Sequence, residues 1–433
     1  MRTTSTGFHS PPNRRAFLQT LAGVALAPSL VSGAVLGKDG AVAPSNRITL
    51  AAIGLGDRNT GNLGHFLLQK DVQCVAVCDC FADRRARGKD MVNRFYGHQD
   101  CRATRFHEEI MDRQDIDAVV IGTGDRWHTV LSTLAARAGK DVYCEKPFCL
   151  TIAEGRALVE TTRRFGAIWQ CGTQRRSNAS YRFVAEGVKG GMVGQLRQIT
   201  LSLGDWGGNG LAKPEPPPDP EEFDYDRWLG QAPWTPYSRV RVALWRNHWD
   251  TSAGPITDMG PHYIDFAQWA HHSDFSGPVE FEGEATWPKP EDGFANVPFK
   301  VNVRARYADG VRVLIDSGPK GVRFDGDEGW VHLSDAGLIS AEPASILRAK
   351  SPPRVDWSVM GDHVRNFLDC VKSRRLTASQ PEIAHRAHTA AHCANICLRL
   401  GRKVQWDPRT ERFAGDEEAN RFLSRAMRAP WNV

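Results

Sequence analysis

Apolar residues along this chain fall into two regimes, and the change between them divides the sequence. In the first, short unbroken apolar runs alternate with amphipathic stretches. Ile48 to Ile53 reads as a buried parallel strand, followed by a helical segment to Gln69 and a second strand from Val72 to Val77. The alternation continues with a strand from Asp117 to Gly122, a helix from Arg126 to Ala138, a strand at 141–144, a helix at 151–165 and a strand from Ala167 to Cys171. Thr151-Ile-Ala-Glu154 has the form of a capping box and sets one helix start. Strands and helices at this spacing predict right-handed crossovers and a doubly wound parallel sheet, an α/β fold.

Past Gly172 the period changes. Val301 to Tyr307 and Val311 to Ile315 alternate apolar and polar positions on either side of Ala308-Asp309-Gly310, a hairpin signal. Gly329 to Leu333 adds a strand, and the chain turns helical from Asp362 to Ser373 and from Glu382 to Leu400. This half is expected to be an α+β domain whose open, mainly antiparallel sheet is backed by helices. The predicted boundaries are 47–171 for the first domain and 172–405 for the second. A tail follows at 406–433, where Pro430-Trp431 reads as a strap over another surface.

Composition adds limits. At 433 residues the chain is long enough for two cores. Its formal net charge is +5, and Arg2, Arg14 and Arg15 lie in an acid-free stretch before residue 35, so the rest carries +2. No basic stripe points to nucleic acid. Asn13-Arg14-Arg15-Ala16-Phe17-Leu18-Gln19 resembles a twin-arginine export signature, with a moderately apolar run to Val35 and a small-residue cleavage site at Ser32-Gly33-Ala34. Residues 1–34 are therefore expected to be a signal peptide, 35–46 a linker, and the mature protein periplasmic with no stable membrane span. The apolar run is short and rich in Gly, Ser and Pro for a span. The ten cysteines fall mostly on or beside apolar strands, where a thiol serves as a small hydrophobe.

The chemistry concentrates at strand ends. The first strand opens into Gly54-Leu55-Gly56-Asp57-Arg58-Asn59-Thr60-Gly61, and the second ends at Asp79. Glycines permit a tight turn and close approach to a pyrophosphate, a helix N-terminus supplies amides, and the acid can bind ribose hydroxyls. Asn59 departs from the usual third glycine. Asp79 favours NAD, while Arg84 leaves NADP open. Thr123-Gly-Asp125-Arg-Trp127-His128 follows a strand end in the same crevice; His128 reads equally as a cofactor contact or a helix cap. Val142-Tyr143-Cys144 runs into Glu145-Lys146-Pro147, which places Lys146 at a strand's C-terminal end as a candidate proton donor, the plainer reading being a surface ion pair.

In the second half, Asp258 and His262 are four apart, either an acid/base pair or a capping Asp with a satisfied His. Residues 204–250 carry Trp206, Trp228, Trp234, Trp245 and Trp249 alongside Pro214, Pro216, Pro217, Pro218 and Pro220 and suit a lid, a sugar-stacking surface or an oligomer contact. His385, His388, His392 and Cys393 share a helix face, but with no carboxylate beside them they read as packing rather than a metal site.

Together Gly54-Leu-Gly56, Asp79, Thr123 through His128, Glu145-Lys146-Pro147, Gly172-Thr-Gln174 and Asp258-x-x-x-His262 resemble the Gfo/Idh/MocA oxidoreductases, over roughly residues 47–410. The resemblance implies a Rossmann domain binding NAD or NADP and a C-terminal α/β domain whose open sheet serves as a homo-oligomer interface, dimer or tetramer. It implies sugar or cyclitol substrates, with Gln174 at the cofactor. Lys146 would bind the reacting hydroxyl, His262 would be the main acid/base, and Asp258 would orient it or hold substrate. No metal is implied, because Lys and His can handle the proton. Three functions follow: a dehydrogenase of a sugar or sugar derivative, a glycosidase that uses NAD transiently, and a non-catalytic sugar sensor.

Overall fold

The computed structural model describes residue 43 and residues 46–349 and 362–431. The signal expected at 1–34 lies outside the described residues.

Six parallel strands form the first sheet: β1 (Ile48–Ile53), β2 (Val72–Cys78), β3 (Arg102–Thr104), β4 (Ala118–Ile121), β5 (Asp141–Cys144) and β6 (Trp169–Cys171). Their order is β3-β2-β1-β4-β5-β6. Winding therefore reverses between β1 and β4, and the loops after both strands open on one crevice. Leu50 of β1 pairs with Cys74 of β2 and Ala118 of β4. Burial on both faces explains the unbroken apolar runs. All ten cysteines are free thiols, and burial pushes those of Cys74, Cys78, Cys144 and Cys171 upward, so they stay neutral. The capping box forms: Thr151 Oγ1 accepts from Glu154 N at 3.2 Å and Glu154 Oε2 from Thr151 N at 3.0 Å. The sequence reading missed β3, a short sheet-edge strand with no apolar run to reveal it.

The second sheet has nine strands: β7 (Leu196–Ser202), β8 (Glu280–Thr286), β9 (Lys300–Arg306), β10 (Arg312–Asp316), β11 (Gly321–Gly326), β12 (Trp330–Ser334), β13 (Ile339–Glu342), β14 (Val404–Asp407) and β15 (Arg412–Phe413). Their order is β13-β12-β11-β7-β10-β9-β8-β14-β15. Pairing is antiparallel except between β7 and β10. The hairpin around Asp309-Gly310 sets Arg306 opposite Arg312. One face buries Val303, Ile315, Phe324 and Leu333 against helices Ala179–Lys189, Gly260–Ala270 and Pro381–Leu400. The other is polar, with Arg304 on Glu282 at 3.0 Å.

Helix His363–Ser373 returns to the first sheet, where Val364, Phe367 and Leu368 pack with Leu50, Phe66 and Tyr143. Ile48–Val433 forms one compact unit. Among the described residues, no helix is long and apolar enough to cross a membrane.

Candidate active site

β1 leads directly into Gly54, whose φ of +78° favours glycine. A Cβ there would also lie 2.6 Å from Thr123 Cγ2. The next helix, Asp57–Leu67, starts at Gly56 with no side-chain cap, so its first amides remain open to an anion. At the end of β2, Asp79 accepts from Leu55 N at 2.5 Å and Phe81 N at 2.9 Å. Burial raises its carboxyl pKa, and these amides oppose that rise. A tight glycine turn, a free helix N-terminus and a strand-end acid fit the pyrophosphate and ribose of a dinucleotide.

Asn59 turns out to be structural. It is fully buried, and its Nδ2 donates to Gly54 O at 2.6 Å and to Ile53 O and Val120 O at 3.3 Å. The space it needs comes from Gly122, where a Cβ would stand 2.5 Å from that of Asn59.

The crevice is a cleft of about 690 Å³. Of the residues expected at the cofactor, Gly54, Gly56, Asp57, Arg58, Asp79, Thr123, Trp127, His128, Glu145 and Lys146 line it. Leu55, Asn59 and Gln174 do not, because each is committed behind the wall: Leu55 N to Asp79, Asn59 to strand carbonyls, and Gln174 Nε2 to Tyr143 Oη and Glu145 Oε1 at 2.9 Å. Glu145 is a buried hub, its Oε1 also accepting from Arg58 Nε at 3.0 Å and Asn62 Nδ2 at 2.9 Å. His128 is 2 % exposed and its Nδ1 meets Pro147 O at 2.7 Å. It therefore braces the loop that carries Lys146, and burial lowers its pKa to about 4.

Lys146 Nζ donates to Asp258 O at 2.9 Å and Asp258 Oδ1 at 3.2 Å. The expectation that Asp258 orients His262 is thus corrected. The helix breaks between Pro255–Asp258 and Gly260–Ala270, so the two residues do not share one continuous face, and Asp258 turns to Lys146. His262 Nδ1 is buried without a hydrogen-bond partner. Burial, followed by the charges of Arg175, Lys146 and Arg58, holds the imidazole pKa well below its usual range. It is a neutral base at pH 7.

Two features extend the sequence reading, which put Thr123 through His128 in the crevice and offered the Trp-rich loop as a lid, a stacking surface or an oligomer contact, without naming their partners. Asp125 lies buried on the cleft wall with Oδ2 2.5 Å from Ser252 Oγ. Its place in Thr123-Gly-Asp125, directly after a strand, was the available signal. The second is the docking of the Trp-rich loop. Ala82 N donates to Glu222 O at 2.8 Å and Asp224 N to Cys80 O at 3.1 Å, while Phe81 and Phe223 stack at 3.9 Å. Trp127 Nε1 donates to Arg227 O at 2.8 Å, and Arg227 pairs with Glu108 at 2.9 Å. Phe223, Arg227, Trp228, Trp245 and Arg246 thereby line the cleft as a roof. Arg428 Nε holds Gly230 O at 3.0 Å, and Trp431 packs edge-on to Trp127 at 5.8 Å.

The histidines at 385, 388 and 392 point to separate partners: Glu411 Oε1 at 2.8 Å, Ala384 O at 2.7 Å and Cys149 O at 3.3 Å. They pack helix Pro381–Leu400 against its neighbours.

A doubly wound sheet with an open glycine turn, joined through a Lys–Asp pair to the helices that carry Asp258 and a neutral His262, defines a two-domain nucleotide-dependent oxidoreductase fold. The chain belongs to the Gfo/Idh/MocA oxidoreductase family: its NAD-binding Rossmann fold matches residues 48–173 and its C-terminal alpha/beta domain residues 185–433. Relatives include a myo-inositol 2-dehydrogenase of Thermotoga maritima, 26% identical over 42% of this chain and 49% of that protein. Another is a glycosyl hydrolase family 109 protein of Shewanella sp. (strain ANA-3), 30% identical over 34% of this chain and 36% of that protein. The chain thus aligns with about half or less of the length of these curated relatives. Among solved structures, the aldose-aldose oxidoreductase of Caulobacter crescentus superposes with a TM-score of 0.63 at 19% identity, over 83% of this chain and 99% of that one.

Proposed function

We propose that this protein is an NAD-dependent oxidoreductase acting on a hydroxyl of a sugar, cyclitol or sugar derivative. The observation that carries the reading is Lys146, held at the cleft wall by Asp258, with the neutral His262 close enough to feel its charge. Bound in the cleft, NAD supplies the hydride acceptor. Two of the three ammonium protons of Lys146 go to Asp258, which leaves the third for a substrate oxygen. His262 takes the hydroxyl proton while the carbon gives up its hydride, so the alcohol becomes a carbonyl. On return of hydride and proton the same two groups work in reverse.

A second reading is redox-neutral glycoside cleavage: oxidation, elimination, addition of water, reduction. The roof over the cleft favours it, because a nucleotide enclosed there is suited to be reused within one cycle. The relatives named glycosyl hydrolase family 109 support it. Supplying purified protein with NAD and a panel of polyols and aryl glycosides separates the two. Net NADH formation supports the dehydrogenase, and aglycone release without NADH supports the hydrolase. Neither, across both panels, overturns the oxidoreductase reading in favour of a sugar sensor.

We infer also that the chain is exported folded by the twin-arginine route, on the strength of Arg14-Arg15-Ala16-Phe17-Leu18. Replacing both arginines by Lys should hold the precursor in the cytoplasm; unchanged export in cell fractionation would refute this. The polar outer face of the second sheet is our candidate homo-oligomer interface, and measurement of the molar mass in solution tests it.

A further inference from the structure

Among the described residues, the buried carboxyls meet either a charged donor or at least two neutral ones, with one exception. Glu145 accepts from Arg58, Asn62 and Gln174; Asp79 from two amides; Glu154 from Leu150 N at 2.7 Å and Thr151 N at 3.0 Å; Asp265 from Arg176 at 2.7 Å. Asp125 is 3% exposed, yet among the described residues its carboxyl meets a single hydrogen-bond donor, Ser252 Oγ at 2.5 Å. One neutral hydroxyl is poor support for a buried negative charge. The site's own charges face it. Asp258, ending helix Pro255–Asp258, repels a charge on Asp125, while Lys146 beyond β5 and Arg246 in the Trp245–Asn247 turn attract it. Arg126 on the same helix is committed to Trp228 O, and Cys144 and Cys149 are thiols kept neutral by burial. Burial first, and then Asp258, push the carboxyl up to about 7.

We propose that Asp125 is a positioning residue for the Lys146–Asp258 pair: its proton, held or released, decides whether Lys146 is claimed by Asp258 alone or shared between two carboxylates. With Asp125 neutral, Lys146 stays on Asp258 and keeps its third N–H for the substrate oxygen. With Asp125 ionised, a second anion competes for the amine and weakens that bond to substrate. The proton exchanges with solvent, and no bond to carbon changes. Ser252 holds the carboxyl in place from the loop that leads into helix Pro255–Asp258. The proposal rests on reading Lys146 as the group that meets substrate.

Thermal unfolding from pH 4 to 9 tests it without any substrate, comparing the purified protein with Asp125→Asn, Ser252→Ala and Lys146→Met. An acid whose folded-state pKa lies above its unfolded value of about 3.9 loses stability as pH rises between the two, and no more above the upper one. The Tm advantage of Asp125→Asn should therefore grow from pH 4 to about 7 and then level off. Lys146→Met and Ser252→Ala should each move that levelling point to higher pH, since each removes support for the ionised form. A difference that stays flat, or a levelling point indifferent to Lys146→Met, overturns the proposal. The kinetic arm uses whichever polyol or glycoside turns over: wild type should show a limb in kcat/KM near pH 7 that Asp125→Asn lacks, and a limb that persists in the variant also overturns it. If no substrate turns over, the proposed function fails while the unfolding curves still decide the role of Asp125.

Discussion

Arg126 donates to the carbonyl oxygen of Trp228 at 2.7 Å and lies 4.1 Å over its indole, which fastens the crossing loop to the helix bordering the cleft. A ligand seated between the glycine turn and this roof would be retained in part by such contacts. We therefore expect protein purified without added nucleotide to release near-stoichiometric NAD(H) on denaturation. Arg126→Ala should raise the nucleotide release rate about tenfold, the effect of losing roughly 1.4 kcal/mol of fastening. Stopped-flow displacement would measure it, and an unchanged rate would show that the loop does not gate release.

Lys146→Ala and His262→Ala should each lower kcat by about 10²–10⁴-fold, the usual worth of positioned proton transfer. Nucleotide affinity by calorimetry should change little for His262→Ala, because that residue lies outside the cleft lining. Near-normal kcat in His262→Ala would remove it from the chemistry.

Nucleotide choice turns on Asp79. Its two oxygens are tied to Leu55 N and Phe81 N, so the carboxyl cannot swing away from a 2′-phosphate. Arg84, 4.2 Å over the Phe81 ring, supplies the opposing attraction. Tighter calorimetric binding of NAD(H) than of NADP(H) is the expected result; the reverse would mean that Arg84 governs.

Asp71 gives a stability prediction with a definite sign. Partial burial raises its carboxyl pKa, but Arg365 and Lys372 outweigh that and bring it down to about 2. Arg365 contributes bonds of 2.8 and 3.0 Å, tying helix His363–Ser373 to the turn before β2. A depressed acid stabilises the fold above its unfolded pKa of about 3.9, and that contribution disappears as pH falls from about 4 to 2. Asp71→Asn should cost about 1–2 kcal/mol at pH 7, after allowance for solvent screening, and almost nothing at pH 2. Chemical denaturation at the two pH values checks it.

What the sequence made legible were features carried by neighbours in the chain. The run from Ile48 through Asn59, the Thr151–Glu154 box and the Asp309-Gly310 hairpin each contain their own period or turn chemistry, and all three form. Lys146 was placed correctly at a strand end for the same reason. What stayed hidden were choices among distant partners. A spacing of four suggested that Asp258 serves His262, yet a helix break gives the carboxylate to a lysine 112 residues away. The loop that carries Trp228 read as a lid, a sugar-stacking surface or an oligomer contact; Trp228 lines the cleft, and that its carbonyl anchors Arg126 was not legible. The motif after β4 put Asp125 in the crevice, but its hydrogen-bond partner Ser252 arrives from the other half of the chain and could not be read from the motif.

The fit of Asn59 against Gly122 also constrains the route by which this sequence can vary. While Asn59 is present, any side chain at 122 collides with it, so Gly122→Ala is closed as a first step. Asn59→Gly is open, at the cost of the bonds to Gly54, Ile53 and Val120. That change removes the three atoms nearest to a Cβ at 122. The two positions are thus coupled, and a side chain at 122 is expected to be tolerated better after Asn59 has been replaced by glycine than before.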